Sequence, residues 1–222
     1  MTQLRRIHSI VPAARRPGRF EVEIDDLPTA TLSIEAIERF GLAAGGFVDD
    51  RQAAAIEREV GILQTYDRAL NMLAARGRAS AELRRLLVRK GEATDAVDVA
   101  IERLVTAGFL DDAAFARQFA RSKGVSGGLS RRRLQQELGR RGVNRETGSE
   151  AIETVFTEEG VDEAAAIEKV ARKKLRSLTT VDAPTRRRRL YSFLARRGYD
   201  SDDIARVLRD LLDSSDDADE SI

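Results

Sequence analysis

The sequence predicts a mainly α-helical protein: tandem three-helix units forming an elongated, curved body, preceded by a small α+β module. Three observations lead there. The phrase Leu86-Leu87-Val88-Arg89-Lys90-Gly91 returns as Glu137-Leu138-Gly139-Arg140-Arg141-Gly142 and again as Phe193-Leu194-Ala195-Arg196-Arg197-Gly198. Each copy ends a helix, with two cations facing the negative end of the dipole and a glycine where the backbone turns left-handed. The register extends well beyond the phrase. Leucines stand eight and four residues before each glycine (Leu83, Leu87; Leu134, Leu138; Leu190, Leu194), and aliphatic residues ten and thirteen after (Ile101, Leu104; Ile152, Val155; Leu208, Leu211). The third observation is compositional. Charged residues make up 34% of the chain, aromatics only 5%, and tryptophan is absent, a balance that favours helices over sheets.

Residues 1–64 read differently. Apolar positions alternate over residues 4–11, and Phe20-Glu21-Val22-Glu23-Ile24 has a clean period of two, so both are expected strands. Residues 29–32 form a further short strand. Ser33 caps a helix over 34–40 that Gly41 ends, and Asp49 or Asp50 caps another over 51–60. A module this small buries little by itself and is expected to pack on the helical region C-terminal to it.

From residue 65 on, only helical periods remain. The first unit (65–108) takes helices over 66–76, 81–90 and 95–107, with Ser80 and Thr94 as caps. In the second (109–159), helices cover 111–122, 131–141 and 145–156, capped by Ser130 and Asn144, and the glycine-rich run 124–128 is a flexible connection. The third (160–212) has 162–175, 185–197 and 201–212, with Pro184 near a first helical position. Residues 213–222 are acidic and polar, an expected disordered tail. Gly139 and Gly148 fall inside second-unit helices at a cost of roughly 1 kcal/mol each, which makes that unit the least rigid.

The chemistry available is limited. There is no cysteine, hence no disulfide or thiolate metal site, and the single His8 is expected to face solvent from a strand. Asp111-Asp112 reads as a helix cap and not as a metal site. Phe109, Phe115, Phe119 and Phe156 read as core. No acid/base pair, nucleophile constellation or metal cluster emerges, so no enzyme activity, cofactor or metal is expected. No apolar run reaches the ~20 residues that span a bilayer. Nor does an apolar core follow Arg5-Arg6 as a signal peptide requires, so a soluble cytoplasmic protein, monomeric when free, is the expectation.

The net charge of +1 conceals an asymmetry: residues 66–209 carry 30 Lys and Arg against 21 Asp and Glu, while residues 210–222 carry six acids and no base. The middle helices of the units concentrate the excess. Positions ten, six and two before each glycine share one helical face, reading Ala81, Arg85, Arg89; Arg132, Gln136, Arg140; and Arg188, Ser192, Arg196. Lys90, Arg141 and Arg197 extend that side, and Arg133 and Arg189 flank it. The arginine clusters at 131–133 and 186–189 sit in first helical turns, where cations oppose the dipole and free N–H groups can hold an anion. A solvated charged face would look the same, and Glu137 can absorb one charge by pairing with Arg133. Tyr191 and Tyr199 lie beside these arginines, within reach of a nucleobase.

Ala81-Glu82-Leu83-Arg84-Arg85-Leu86-Leu87-Val88-Arg89-Lys90-Gly91, Ala107-Gly108-Phe109-Leu110-Asp111-Asp112-Ala113-Ala114-Phe115-Ala116, Arg189-Leu190-Tyr191-Ser192-Phe193-Leu194-Ala195-Arg196-Arg197-Gly198-Tyr199 and the block from Arg131 through Gly142 to Val143 together resemble the RecX regulatory family of bacteria. The resemblance covers roughly residues 65–212, and the first 65 are similar to the N-terminal extension of longer members. It implies a fold of tandem three-helix repeats and a non-enzymatic role in DNA repair, recombination and the SOS response. Such a protein binds the RecA recombinase in the groove of its filament on single-stranded DNA, bridging subunits and inhibiting recombinase, ATPase and coprotease activities. Two other readings of the residues stay open: a direct DNA binder acting through phosphate contacts, and a helical adaptor for some other acidic protein.

Overall fold

The computed structural model describes residues 3–14 and 16–219, with side chains described through Leu212. The chain divides into two compact units, Met1–Gly77 with Glu82–Leu110, and Arg78–Ala81 with Asp111–Ile222.

In the first unit the alternating segments pair into an antiparallel sheet of order β3-β2-β1-β4, from β1 (Arg5–Pro12), β2 (Arg19–Ile24), β3 (Ala30–Ser33) and β4 (Phe47–Val48). One face buries Ile7, Val22, Ile24, Leu32 and Val48. β4 was not foreseen, because two residues are too few to show an alternation; Val48 pairs with Arg5 and Phe47 with Arg6. His8 lies at a bulge and is exposed as expected, its Nε2 2.5 Å from Asp25 Oδ1. Helix α1 (Ile34–Phe40) has the expected caps, with Ser33 Oγ accepting from the Ala36 N–H and Gly41 left-handed at φ 63°.

Helix α2 (Asp50–Ala75) corrects the reading of two helices there. It starts at a capping box between Asp49 and Gln52 and runs unbroken through Gly61, where a Cβ would meet nothing within 4 Å. The ~1 kcal/mol penalty of one helical glycine is small against the burial of Ile56 and Leu63 on the sheet side and Ala69 further along. One helix therefore serves both the N-terminal sheet and the first three-helix core, which it forms with α3 (Ser80–Arg89) and α4 (Thr94–Thr106). Ser80 and Thr94 are not caps but the first residues of these helices: Ala93 occupies the cap of α4 without a side-chain bond, and the Ser80 N–H donates to Asp112 Oδ1 at 2.8 Å. Glu59, only 5% exposed, ties three helices together. It accepts from Arg103 of α4 at 2.7 and 2.9 Å and from Arg39 of α1 at 2.6 Å. Burial raises the carboxyl's pKa, but the hydrogen bonds of the two guanidiniums outweigh it and the net shift is downward.

In the second unit, α5 (Asp112–Phe119) continues as a π-helical turn (Ala120–Val125), followed by α6 (Arg131–Arg141) and α7 (Arg145–Glu158). Helices α8 (Glu163–Leu175), α9 (Ala183–Arg196) and α10 (Ser201–Asp219) complete it. Asp111 caps α5 as expected, accepting from the N–H groups of Ala113 and Ala114. The six register leucines, Leu83, Leu87, Leu134, Leu138, Leu190 and Leu194, are all 0% exposed, which fixes the cores of all three repeats on one sequence period. Phe156 is buried and Phe115 and Phe119 pack against the same core, but Phe109 is 59% exposed, because Gly108 turns the chain before it. Helix α10 runs on to Asp219 instead of ending at Leu212, since no glycine or proline interrupts residues 213–219; the last three residues of the expected tail lie outside those described.

Candidate functional site

The three arginine stripes have different fates, and the residue five before each glycine decides them. That position is Leu86, Glu137 and Phe193 in turn.

In the second repeat Glu137 gathers three cations. Its carboxylate accepts from Arg133 at 2.7 Å, Arg141 at 2.8 Å and Arg140 at 3.2 Å. The hydrogen bond from Arg141, helped by all three charges, holds it below the usual carboxylate range. Arg141 also stacks on Phe119 at 4.6 Å. Arg132 turns its Nε to the carbonyl of Gly198, 3.1 Å away. Arg132 and Arg140 of the stripe each have a partner within the protein while staying exposed. The anion site expected at the start of α6 is filled from within the protein. Ser130 Oγ accepts from the Arg133 N–H, Glu163 Oε1 accepts from the Arg131 N–H at 3.3 Å, and the Arg131 side chain is engaged by Glu153 and Glu163 while lying over Phe156. At α9 the same role falls to Asp182, whose Oδ2 caps the Thr185 N–H at 3.0 Å.

In the third repeat Phe193 replaces the glutamate and lies between Arg197, 4.5 Å from the ring centroid, and Lys174, 5.6 Å away. The remaining cations of α9 have no such sink. Arg187, Arg188, Arg189 and Arg196 are exposed and form no ion pair among the described residues. Arg188, Ser192 and Arg196 lie opposite the buried Leu190 and Leu194, as the 3.6-residue period requires. The outer face of α8 adds Lys169, Lys173 and Arg176, at i, i+4 and i+7, all exposed. Lys169, Lys173 and Arg176 were not foreseen, although a sliding charge count finds them: residues 169–197 hold eleven Lys and Arg against one acid, Asp182, already used as a cap. Arg187 belongs to the first-turn cluster 186–189 read from the sequence. In the first repeat Arg85, Arg89 and Lys90 are exposed, and Arg84 beside them pairs with Asp98 at 2.6 Å.

The glycine-rich run 124–128 is no flexible connection. A Cβ on Gly124 would sit 2.8 Å from both Leu134 and Phe156, and Gly128, at φ 68°, leaves no room beside Val170. The Tyr199 hydroxyl donates to the Gly128 carbonyl at 3.3 Å, and Arg197 Nη1 to that of Gly127. Tyr199 is 7% exposed, which withdraws it as a base-stacking residue, whereas Tyr191 remains 40% exposed beside the α9 arginines. Gly148 is likewise fitted: a Cβ there would come within 3.0 Å of the Gln135 amide, whose Nε2 donates to the Arg145 carbonyl.

Among the described residues no group of three or more His, Cys, Asp or Glu could hold a metal ion, and no helix is long and apolar enough to cross a membrane.

Known proteins share the three-helix domains. The sequence matches the first, second and third three-helix domains of RecX over residues 66–104, 111–152 and 162–208. The regulatory protein RecX of Amycolatopsis mediterranei (strain U-32) is 40% identical over 129 residues, covering 58% of this chain and 72% of that protein. That of Pelodictyon phaeoclathratiforme is 33% identical over 146 residues, covering 65% and 86%. A crystal structure of regulatory protein RecX superposes with a TM-score of 0.71 at 22% identity over 95% of this chain and 99% of that one. Coverage of 95% cannot be reached without most of the N-terminal module, so that module too has a counterpart in fold. The residues before 66 lie outside the matched domains, as an N-terminal extension would. With three domains matched in order over more than half its length, the chain belongs to the RecX family of regulatory proteins.

Proposed function

We propose that this protein is a non-enzymatic regulator that binds RecA and its filament on single-stranded DNA, and that it lowers the recombinase, ATPase and coprotease activities. Family membership supplies the class of partner. The observation that carries the choice of surface is the cation belt of the third repeat, which forms no salt bridge among the described residues: Lys169 and Lys173 on α8, Arg176 at its C-terminal cap, and Arg187, Arg188, Arg189 and Arg196 on α9. The belt favours an anionic surface, and a regulator that prefers one filament state shifts the population toward it without making a bond. The second-repeat cations Arg133, Arg140 and Arg141 contribute less each, because they share the Glu137 carboxylate and are partly held in place by it.

The test compares two folded variants for binding to the RecA filament. Arg187, Arg188, Arg189 and Arg196 changed together to Ala remove four exposed charges, each worth roughly 0.5 kcal/mol in such contacts, so the affinity falls by about 30-fold. Arg133 and Arg140 changed to Ala leave it within about threefold. Equal losses in both variants would refute the choice of surface.

A second reading, direct binding to DNA phosphates, has one observation in its favour. Tyr191 is the single exposed large apolar side chain among the described residues of the third repeat, whereas protein interfaces usually bury several. Under that reading the quartet variant loses affinity for naked single-stranded DNA equally, and binding needs no RecA.

A further inference from the structure

The loop that ends α9 reaches out of its own repeat. The Arg197 carbonyl accepts from the Ser130 N–H at 3.0 Å, and the Gly198 carbonyl from Arg132 Nε at 3.1 Å. Arg197 and Tyr199 donate to the carbonyls of Gly127 and Gly128. Five hydrogen bonds thus tie residues 197–199 to residues 127–132, across the boundary between the second and third repeats. The fit is tight. Gly198 has φ 89°, and a Cβ on it would sit 2.5 Å from Arg133 Cβ and 2.6 Å from Ser130 Oγ. Gly91 occupies the same place in the first copy of the phrase with a similar φ of 91°, yet a Cβ there would meet nothing within 4 Å. The left-handed helix stop accounts for a glycine in both copies; at Gly198, unlike Gly91, close packing against another repeat adds a second demand. Glu163 at the start of α8 adds a further tie by accepting from the Arg131 N–H at 3.3 Å.

We infer that Arg197-Gly198-Tyr199 is a clasp that joins the second and third repeats into one body, and that Arg132, Arg197 and Tyr199 are positioning residues, not partner contacts. The inference rests on the reading of a filament partner. Contacts made by two parts of a stiff body add through a high effective concentration, and a slack joint forfeits that gain without weakening either contact alone. The clasp therefore matters for a partner long enough to meet both repeats and is immaterial for one that meets only the third.

The test uses the full chain with Gly198→Ala, which opens the clasp by steric conflict, and Tyr199→Phe, which deletes one hydrogen bond while keeping the ring. Circular dichroism and hydrogen exchange at the Ser130 amide establish that the repeats stay folded while the joint loosens. Binding is then measured to the RecA filament and to a short oligothymidylate of about eight nucleotides, a polyanion short enough to meet only the third-repeat belt. The clasp predicts a loss of about tenfold or more on the filament for Gly198→Ala, a smaller loss in the same direction for Tyr199→Phe, and no change on the oligothymidylate. Filament affinity equal to wild type in a variant whose Ser130 amide exchanges freely would overturn the clasp alone. Parallel losses on both probes would overturn it too, by placing the effect in the belt. A wild-type protein that ignores the filament would overturn the reading on which the inference rests.

Discussion

Replacing Glu59 by Gln keeps the side-chain shape but removes the charge that holds Arg39 and Arg103. The two arginines are not equivalent. The Arg103 side chain is 31% exposed and gives two hydrogen bonds, whereas Arg39 is 52% exposed and gives a single ion pair. Removing one partner of a buried pair costs about 3–5 kcal/mol, and an exposed pair about 0.2–1 kcal/mol. With Arg103 partly hydrated, Glu59→Gln should cost about 3 kcal/mol, Arg103→Ala a similar amount, and Arg39→Ala under about 1 kcal/mol. At a urea dependence of about 1–3 kcal/mol per molar, the first two shift the midpoint of the first unit by roughly 1–3 M. The pH dependence follows from the sign of the shift. The Glu59 carboxyl lies below its ordinary 4.5, so its stabilisation is complete above that value and is lost as pH falls through the lower, folded value. The gap between wild type and Glu59→Gln should be constant near neutrality and close on acidification. Equal effects of Arg39→Ala and Arg103→Ala, or a gap that widens in acid, would refute this assignment.

Gly139 lies inside α6 with open space where its Cβ would be, so Gly139→Ala should stabilise the protein by about 0.5–1 kcal/mol, read as a higher denaturant midpoint at unchanged m. Stopping the chain after Leu212 removes five acids and no base while keeping the buried Leu211. Affinity for a polyanion such as oligothymidylate should then rise several-fold at low salt and converge with wild type above about 0.5 M, where the Debye length is only a few ångströms.

The fold was legible because a period of leucines and a glycine stop mark each repeat, and burial of all six register leucines follows from that period. The continuity of α2 was hidden by Gly61, whose cost is too small to break a helix buried on two sides. The joint between repeats was hidden for a related reason: glycines that permit flexibility and glycines that permit close packing look the same in a sequence. Gly128 and Gly198 are distinguished only by what stands against them, Val170 in one case and Arg133 with Ser130 in the other. The stripe arginines shared a helical face as expected, but whether each is available depends on one neighbouring position. Pairing of Glu137 with Arg133 could be read from their spacing, whereas the sharing of that carboxylate with Arg140 and Arg141 needed side-chain geometry.

The most direct test of the central claim is the single-stranded-DNA-dependent ATPase of the cognate RecA with this protein added well below stoichiometry. The account predicts that wild type suppresses the rate at a small ratio, and that the variant with Arg187, Arg188, Arg189 and Arg196 changed to Ala leaves it near the uninhibited value while remaining helical. Suppression by that folded variant equal to wild type, or no suppression by wild type at any ratio, would contradict it.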